Sequence, residues 1–351
     1  MMGSKRKLGI PTMRDRIAQE VVRDYMEKRI DTQFHENSYG YRPMKSAHDA
    51  LRQVRENVLE KDWVVDMDIS KFFDEIDHEL MLKAVDAMLG EKWVKMYVKR
   101  WLEMKVETTD GEVELSRGKG TPQGGVISPL LANLYLHYTL DQWLDTHYPT
   151  VSFVRYADDI VLHCKTEEEA RQLLISLGER LTQVKLRVNE AKTKIVYCKD
   201  YRRKGLHDKT QFGFLGFSFQ PRVQQSKREP GTSYTVYAAE ISRANQQKIR
   251  GAIRESVNWR NTTMELDIIA ARLNRKLRGW INYFGIFGKR DLRRTLLYLE
   301  AKLLKWIRRK HKIGVRAGML LLHNLRRKHP RKFFHWERNL CYNLKQITRA
   351  V

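Results

Sequence analysis

Two adjacent carboxylates lie in the middle of an apolar run. The segment SFVRYADDIVLHC, residues 152–164, is typical of a buried strand, yet it contains Asp158 and Asp159. Charges in an apolar setting are costly unless an opposite charge or a metal ion pairs with them. These acids therefore need a cationic partner, unless the segment forms a hairpin turn, where adjacent acids are common.

A second apolar run also ends in acids. In VVDMDISKFFDEIDH, residues 64–78, the side chains of Asp66 and Asp68 point to the same face of a strand because successive residues alternate. If the two strands are neighbours, Asp68 approaches Asp158 and Asp159, and three carboxylates converge with no cation among them. Hard divalent ions take oxygen ligands, and a pair of them can hold the attacking and leaving oxygens of a phosphoryl displacement. We therefore predict a site for two Mg²⁺ ions, which Mn²⁺ could replace.

Other residues near these strands have less specific patterns. Asp66, Asp74 and Asp77 are expected to be surface or capping acids rather than ligands. The segment SRGKGTPQGGVISPLLANLYL, residues 116–136, contains four glycines and two prolines before a helical pattern. Such a loop either forms a tight turn or presents backbone amides to a phosphate or a base pair. It is not a P-loop, because GxxxxGK[ST] is missing.

Alternating helical and strand patterns surround these motifs. Apolar spacing predicts an amphipathic helix over 13–30, whose apolar face contains Ile17, Val21, Val22, Tyr25, Met26 and Ile30. Ser46 is the expected N-cap of a helix over 46–60, with Asp49 in a capping box. Further patterns predict helices over 126–147 and 167–184 and strands over 62–70 and 211–219.

The last third of the chain carries almost all of the net charge of +24. Residues 1–240 contain 38 Lys and Arg against 36 Asp and Glu, whereas residues 241–351 contain 28 against 6. A polyanionic partner explains this asymmetry best, and the alternative is a solvated basic surface. The pattern there is helical, with apolar residues at three- and four-residue intervals over 266–284 and again over 293–310. The stretch QQSKREPGTS, residues 224–233, is expected to be the loop that joins this region to the rest of the chain.

Composition excludes several classes of protein. The sequence contains no run of about 18 apolar residues, so no membrane span is predicted. No apolar segment follows the basic N-terminus, as it would in a secretory signal. Cys164, Cys198 and Cys341 stand far apart, which excludes a disulfide scaffold and a thiolate zinc site. The length and 42% hydrophobic content allow a core in two or three domains. We predict a cytoplasmic protein with no membrane partner.

Several motifs occur in a fixed order: KRKLGIPTMRDRIAQ, FHENSYGYRPMKSAHDAL, DMDISKFFDEIDH, GTPQGGVISPLLANLYL, YADD, NEAKTKI and FGFLGF. Together they resemble the finger and palm blocks of group II intron-encoded reverse transcriptases. LNRKLRGWINYFGIF resembles the thumb, or maturase X domain, and RRKHPRKFFHW the tail of the shorter members. The resemblance covers nearly the whole chain. It implies an α+β right-hand polymerase, with fingers in 1–60, the palm with finger segments in 61–222 and an all-helical basic thumb in 235–351.

The resemblance also implies residue roles at the metal site and around the nucleotide. The implied metal ligands are Asp68, Ile69, Asp158 and Asp159. Phe73 corresponds to the aromatic residue that excludes the 2′-hydroxyl of an incoming nucleotide, and Phe72 is the alternative. Either ring could instead pack in the core. Gln123 corresponds to the residue that lines the nucleotide and template pocket. Arg14 and Arg16 correspond to residues near the triphosphate, and the alternative is that they form an exposed helix start. Lys192 corresponds to the lysine that protonates the pyrophosphate leaving group, and Lys194 is the alternative.

In the basic region the resemblance implies nucleic-acid contacts. The residues are Arg272, Arg275, Lys276, Arg278, Trp280 and Tyr283, although helical spacing favours core packing for Trp280, Tyr283 and Phe284. Relatives carry a longer extension before LGIPT, and the His and paired Cys of a C-terminal HNH endonuclease are not expected here.

These features predict an RNA-directed DNA polymerase that uses an RNA template, a DNA or RNA primer and dNTPs, with intron RNA as a partner. The alternatives are an intron maturase that binds RNA as a splicing cofactor and a domesticated reverse transcriptase in defence or repair.

Overall fold

The computed structural model describes residues 9–107, 113–114, 118–121, 124–226 and 229–341. The chain divides into two compact units. One comprises Met1–Leu215 and Pro221–Tyr237, and the other Gly216–Gln220 and Ala238–Val351. The fold mixes helices and sheet and ends in a helical region. The predicted domain boundaries, 1–60, 61–222 and 235–351, stay a prediction.

The first unit alternates helices and strands. Its elements are α1 (Met13–Ile30), α2 (Ala47–Glu60), β1 (Trp63–Asp68), α3 (Phe72–Glu75), α4 (His78–Leu89), α5 (Lys92–Leu102), β2 (Val106–Glu107), β3 (Val113–Glu114), α6 (Ser128–Leu136), α7 (Gln142–His147), β4 (Ser152–Tyr156), β5 (Asp159–Cys164), α8 (Glu167–Gln183), β6 (Lys194–Tyr197) and β7 (Phe212–Phe214). Strands β8 (Phe217–Gln225) and β9 (Ser233–Ile241) each contribute residues to both units.

An antiparallel sheet of order β4-β5-β1-β6 forms the centre of the first unit. Strand β1 is an inner strand with two faces to cover, which explains its apolar residues at successive positions. Trp63, Val65 and Met67 join a core that α1, α4, α5, α6 and α8 also supply. Asp66 and Asp68 alternate with them and face the other side of the sheet.

Helix α2 has the predicted start. The Ser46 hydroxyl accepts a hydrogen bond from the Asp49 backbone N–H, and the Asp49 carboxylate accepts one from the Ser46 N–H at 2.9 Å. This reciprocal pair satisfies two backbone donors that the first helical turn leaves without partners. The capping box is therefore confirmed.

Helix α1 has the predicted bounds, but its predicted apolar face is partly wrong. Val22, Met26 and Ile30 are buried, whereas Ile17 and Val21 are each 63% exposed. Gln19 is buried instead, because its side-chain oxygen accepts the backbone N–H of Val126 at 2.8 Å. Gln19 lies on the same helical face as Val22, Met26 and Ile30, so the buried face begins with a polar residue that has a partner in a distant loop.

Residues 152–164 do not form one strand. They form a hairpin in which β4 and β5 pair antiparallel and Tyr156 lies opposite Asp159. The turn contains Ala157, whose φ of +57° lies in the left-handed region. The prediction of a single strand is therefore wrong. The hairpin-turn alternative is correct, and Asp159 still pairs with Asp68 on the neighbouring strand, as expected.

Residues 224–233 do not join the two regions. They include the loop of the hairpin formed by β8 and β9, closed by a hydrogen bond from the Ser226 N–H to the Thr232 carbonyl at 2.9 Å. Gly231 has a φ of +94°, which a glycine supplies at little cost in such a loop. The turn chemistry was recognised in the sequence, but its place within a sheet was not.

The second unit is helical after β9. Its helices are α9 (Arg243–Ser256), α10 (Leu266–Phe284), α11 (Lys289–His311), α12 (Val315–Lys328) and α13 (Phe334–Glu337). Helix α10 matches its predicted bounds and buries Ile269, Leu273, Leu277 and Ile281. In the part of the chain that the structure describes, no helix is both long and apolar enough to cross a membrane.

Candidate active site

The register of β1 and β5 brings the predicted carboxylates together. Asp68, the last residue of β1, lies directly opposite Asp159, the first residue of β5. Residues opposed in an antiparallel pair project from the same face, with Cβ atoms roughly 4.5–5.5 Å apart. Asp158 comes just before, in the hairpin turn, and lines the same cavity as Asp68. All three acids therefore meet at one end of the sheet.

A turn after α8 holds Asp68 in place. The Asn189 side-chain amide donates to the Asp68 carboxylate at 2.8 Å, and the Asn189 backbone N–H donates to the Asp68 carbonyl at 2.8 Å. The Asp68 N–H donates to the Thr193 hydroxyl at 3.2 Å. Asn189 and Thr193 belong to the NEAKTKI motif, but we did not predict either as a site residue. The signal was an Asn at the start of a turn, a residue type that bonds nearby backbone.

Two lysines lie beside the acids, so the expectation of carboxylates with no cation among them is wrong. The Lys192 ammonium is 3.2 Å from the Asp68 carboxylate, and the Lys194 ammonium is 3.5 Å from that of Asp66. Lys192 lines the cavity and its side chain is largely exposed. Of the two lysines considered for the leaving group, Lys192 contributes to the cavity lining and Lys194 does not.

The electrostatics of the site favour a cation. Burial, together with the neighbouring charges of Asp66, Asp158 and Asp68, raises the pKa of Asp159 to about 7, although a hydrogen bond from the Leu215 backbone N–H opposes this shift. Burial also raises the pKa of Asp66, which Lys194 and the Gly213 backbone N–H oppose. Crowded carboxylates with raised pKa values are stabilised in their ionised form by a bound cation. An all-oxygen donor set of this kind fits Mg²⁺.

Two backbone amides of the FGFLGF motif, those of Gly213 and Leu215, contact the acids of the site. They lie two residues apart and donate to the Asp66 and Asp159 carboxylates, respectively. Leu215 has a φ of +47°, which is unusual for a branched residue. The sequence pattern predicted only a strand for this motif, because its contact with the acids depends on a pairing between distant segments.

The three acids assigned to surface or capping positions have different surroundings. Asp77 caps α4, because its carboxylate accepts the Leu80 N–H at 3.0 Å, and it also pairs with Lys185 at 2.6 Å. Asp74 is exposed at the cavity. Asp66 is neither at the surface nor a cap: it lies within β1, largely buried, so its expected setting was wrong.

An open cavity of about 1250 Å³ lies beside the acids. Both candidate aromatic residues contribute to its lining, but Phe72 is 2% exposed and belongs to the core, whereas Phe73 is half-buried and packs against that core. Ile69 contributes to the lining and bridges to Val188. Basic side chains also line the cavity, at Lys71, Lys119, Lys185, Arg187 and Lys192.

Two predicted nucleotide contacts, Arg14 and Arg16, do not line this cavity. Arg14 and Arg16 are exposed at the start of α1 and do not contribute to the lining, which agrees with the alternative of an exposed helix start. The Arg16 guanidinium donates to the Pro11 carbonyl at 3.1 Å. Gln123 lies outside the described residues.

Helix α10 presents a basic face in the second unit. Arg272, Arg275, Lys276 and Arg278 are exposed on the side opposite its buried apolar residues. Lys276 donates to the Ser256 hydroxyl at 2.8 Å. Two aromatic residues of the same helix, Trp280 and Tyr283, are half-buried, whereas Phe284 is buried as the helical spacing predicted.

Comparison with known proteins places this geometry in a family. Residues 1–219 match the family described as reverse transcriptase (RNA-dependent DNA polymerase). The chain belongs to the reverse transcriptase family. Residues 246–320 match the maturase-specific domain of group II introns, so the chain is a member of the group II intron type.

Individual relatives agree with this membership. The chain is 33% identical to Protein YkfC of Escherichia coli (strain K12), over 56% of this chain and 61% of that protein. It is 26% identical to the group II intron-encoded protein LtrA of Lactococcus lactis subsp. cremoris, over 88% of this chain and 63% of that protein. The chain thus spans about three fifths of the length of these curated relatives. Among solved structures, apo telomerase from Candida tropicalis matches with a TM-score of 0.49 and 11% identity, over 92% of this chain and 60% of that one.

Proposed function

We propose that the chain is an RNA-directed DNA polymerase that adds deoxynucleotides to a primer at the Asp68, Asp158 and Asp159 site. The observation that carries the proposal is the pairing of Asp68 with Asp159, with Asp158 beside them at the rim of the cavity that Phe73 lines. Three acids in this arrangement serve phosphoryl transfer through divalent cations. Family membership agrees with this chemistry.

The residues of the site have separate tasks. Asp68, Asp158 and Asp159 would hold two Mg²⁺ ions, with the backbone of Ile69 beside them. When bound, the ions neutralise phosphate charge and favour ionisation of the primer 3′-hydroxyl. A bond then forms between the 3′-oxygen and the α-phosphorus, and the α–β phosphoanhydride bond breaks. Lys192, which pairs with Asp68 in this structure, would give a proton to the departing pyrophosphate.

The cavity also accounts for substrate selection. The ring of Phe73 stands at the cavity wall, where it would meet the sugar of the incoming nucleotide. A bulky ring there leaves no space for a 2′-hydroxyl, which selects dNTPs over ribonucleotides. Exposed cations in the lining, including Lys71 and Arg187, would attract the triphosphate.

The basic helical region would bind the template, the primer and intron RNA. Its charge supports this role, since residues 241–351 contain 28 Lys and Arg against 6 acids. Phosphate contacts by such residues are electrostatic and independent of sequence. The match to the maturase-specific domain favours a second activity, in which the chain assists splicing by binding intron RNA.

Primer extension tests the polymerase proposal. The wild type is expected to extend a DNA primer on an RNA template with dNTPs and Mg²⁺, and Asp158→Asn is expected to lose on the order of 100-fold or more of this activity. Asp24→Asn, which removes an exposed carboxylate on α1, is the matched control and should retain full activity. Full extension by Asp158→Asn would refute the assignment. Splicing of intron RNA by the same variant would separate the maturase activity from polymerisation.

A further inference from the structure

A fully buried ion pair lies beneath the hairpin turn that carries Asp158. Arg155 is the fourth residue of β4, and Asp141 lies in a single π-helical turn, His137–Asp141, between α6 and α7. Both side chains have no exposed surface. The guanidinium binds the carboxylate through two hydrogen bonds, of 2.8 Å from Nε and 2.5 Å from the second terminal nitrogen.

The remaining donor of this guanidinium acts on the turn itself. Its first terminal nitrogen donates to the Asn133 side-chain oxygen at 2.8 Å and to the Ala157 carbonyl at 3.1 Å. Ala157 immediately precedes Asp158 and has a φ of +57°. A residue with a Cβ adopts this conformation only where its surroundings hold it there.

A segment from residue 37 to 41 closes the other side of the turn. The Arg155 N–H donates to the Asn37 carbonyl at 2.9 Å, and the Tyr39 N–H donates to the Arg155 carbonyl at 2.8 Å. Asn133 reaches the same segment, since its amide donates to the Gly40 carbonyl at 2.7 Å. A Cβ on Gly40 would lie 2.4 Å from the Ala157 nitrogen, so only glycine allows this approach.

The arrangement of these contacts suggests a role other than stabilising the fold. A buried ion pair is weak evidence for stability, because apolar residues of similar volume often serve the fold as well or better. Here one cation joins three acceptors that belong to separate segments, and one of them is the carbonyl of the turn. The pair is therefore suited to fixing a geometry rather than to stabilising the unit.

We infer that Arg155 and Asp141 are positioning residues that impose the left-handed turn at Ala157 and thereby aim Asp158 at the cation site. The inference rests on the proposed function. Both side chains are fully buried, so they would act through the backbone of Ala157 rather than on a bound ligand. A displacement of Asp158 would weaken metal binding and slow the chemical step while leaving nucleotide binding intact.

The test replaces the ion pair by apolar residues. The double variant Arg155→Met/Asp141→Leu is compared with Arg203→Met/Asp200→Leu, which removes another buried pair, 2.7 Å long, near the start of β1 and away from Asp68. For each protein we would measure the melting temperature, Mn²⁺ affinity by electron paramagnetic resonance, and kcat and KM for dNTP.

We expect Arg155→Met/Asp141→Leu to stay folded, to bind Mn²⁺ about 10–100-fold more weakly and to lose a similar factor in kcat, with KM for dNTP unchanged. The Arg203→Met/Asp200→Leu control should keep wild-type Mn²⁺ affinity. Adding Ala157→Gly should restore part of the affinity, because glycine adopts the turn without support. If Arg155 and Asp141 only stabilised the fold, adding Ala157→Gly would not restore Mn²⁺ affinity.

Wild-type Mn²⁺ affinity and kcat in a folded Arg155→Met/Asp141→Leu protein would overturn the inference and leave the proposed function standing. If that protein does not fold, Arg155→Lys replaces it, and wild-type affinity there overturns the inference equally. A wild type that binds Mn²⁺ but extends no primer would instead refute the proposed function, and the affinity comparison would still decide the role of Arg155.

Discussion

At the scale of single residues, two adjacent rings show how position determines a role. Phe72 and Phe73 are equivalent in the sequence, and their ring centroids lie 5.3 Å apart. Both line the cavity, but Phe72 is a buried member of the core, whereas Phe73 is half-buried. The short helix α3 begins at this point and turns successive side chains in different directions. Selection of the nucleotide sugar by Phe73, the more exposed of the two rings, remains a proposal.

Substitution of each ring by alanine separates the two roles. Phe73→Ala should accept ribonucleotides about 10–100-fold more readily relative to dNTPs, because it opens space for the 2′-hydroxyl. Phe72→Ala should instead lower the free energy of unfolding by about 3–5 kcal/mol through the cavity that it creates. Steady-state incorporation of dNTP and rNTP, with urea unfolding, measures both effects. Unchanged discrimination in Phe73→Ala would remove this residue from the nucleotide pocket.

A second residue, His163, makes stability depend on pH. It is completely buried in β5, and neither ring nitrogen has a hydrogen-bond partner within the described residues. Burial, aided by the charge of Lys61, lowers the pKa of His163 from 6.5 to about 3. The unfolded chain binds a proton below pH 6.5 that the folded chain does not. The free energy of unfolding therefore falls as pH drops from 6.5 towards 3.

Removal of this imidazole should flatten the pH dependence. Between pH 6 and 4, the unfolding free energy of His163→Val should fall less steeply than that of the wild type, by about 1.4 kcal/mol per pH unit. Val161→Ala is the control, since it creates a defect in the same strand without removing a titrating group. Urea titrations at a series of pH values give the slopes. Parallel slopes for His163→Val and the wild type would contradict the assignment.

At the scale of elements, one buried acid joins the end of the described chain to a helix. Glu300 of α11 accepts hydrogen bonds from the His335 ring at 2.6 Å, from the Trp336 indole at 2.8 Å and from Arg326 of α12. Burial alone would raise the pKa of Glu300, but the hydrogen bond and charge of His335, together with Arg326, lower it. Its stabilisation is present above pH 4.5 and is lost as pH falls below that value.

Neutralising this acid should destabilise the helical unit. Glu300→Gln removes the negative charge that accepts the hydrogen bond from Arg326, and the free energy of unfolding should fall by about 3–5 kcal/mol. Glu337→Gln, on the exposed side of α13, should change it by less than about 0.5 kcal/mol. Urea unfolding at pH 7 followed by tryptophan fluorescence compares them. Equal stability of the two variants would show that the hydrogen bonds of Glu300 do not stabilise the packing of α11 against α12 and α13.

At the scale of the whole molecule, charge is concentrated in one region. Residues 1–240 are nearly neutral and residues 241–351 carry a net charge of +22. The acids and the cavity all lie in the first unit, whereas the basic face of α10 lies in the second. The division implies that cation chemistry and long-range attraction of RNA are supplied by different parts of the chain.

Salt dependence tests this division. The affinity for RNA should fall steeply with salt because binding releases counterions. Arg272→Gln/Arg275→Gln/Arg278→Gln should reduce the slope of log affinity against log salt by up to about 2 for single-stranded RNA. A triple variant at exposed basic residues of the first unit, Arg52→Gln/Arg55→Gln/Lys99→Gln, is the control with the same change in charge. Equal slopes for both variants would exclude α10 as the contact surface.

The sequence alone determined the features that depend on neighbours along the chain. The capping box at Ser46, the bounds of α1 and α10 and the alternation that places Asp66 and Asp68 on one face follow from local spacing. The charge asymmetry follows from composition. Family membership could also be read from the order of the motifs, because each motif is short and contiguous.

The tertiary structure decided which residues meet. The pairing of Asp68 with Asp159 depends on strand register, and the turn at Ala157 depends on Arg155, Asp141 and Gly40 from separate segments. Burial of Gln19 in place of Ile17 on α1 likewise requires a partner more than a hundred residues away. Contacts of this kind are set by the packing of distant elements, for which local periodicity carries no information. The acids of the candidate site could therefore be identified from the sequence, whereas the contacts that hold them in place could not.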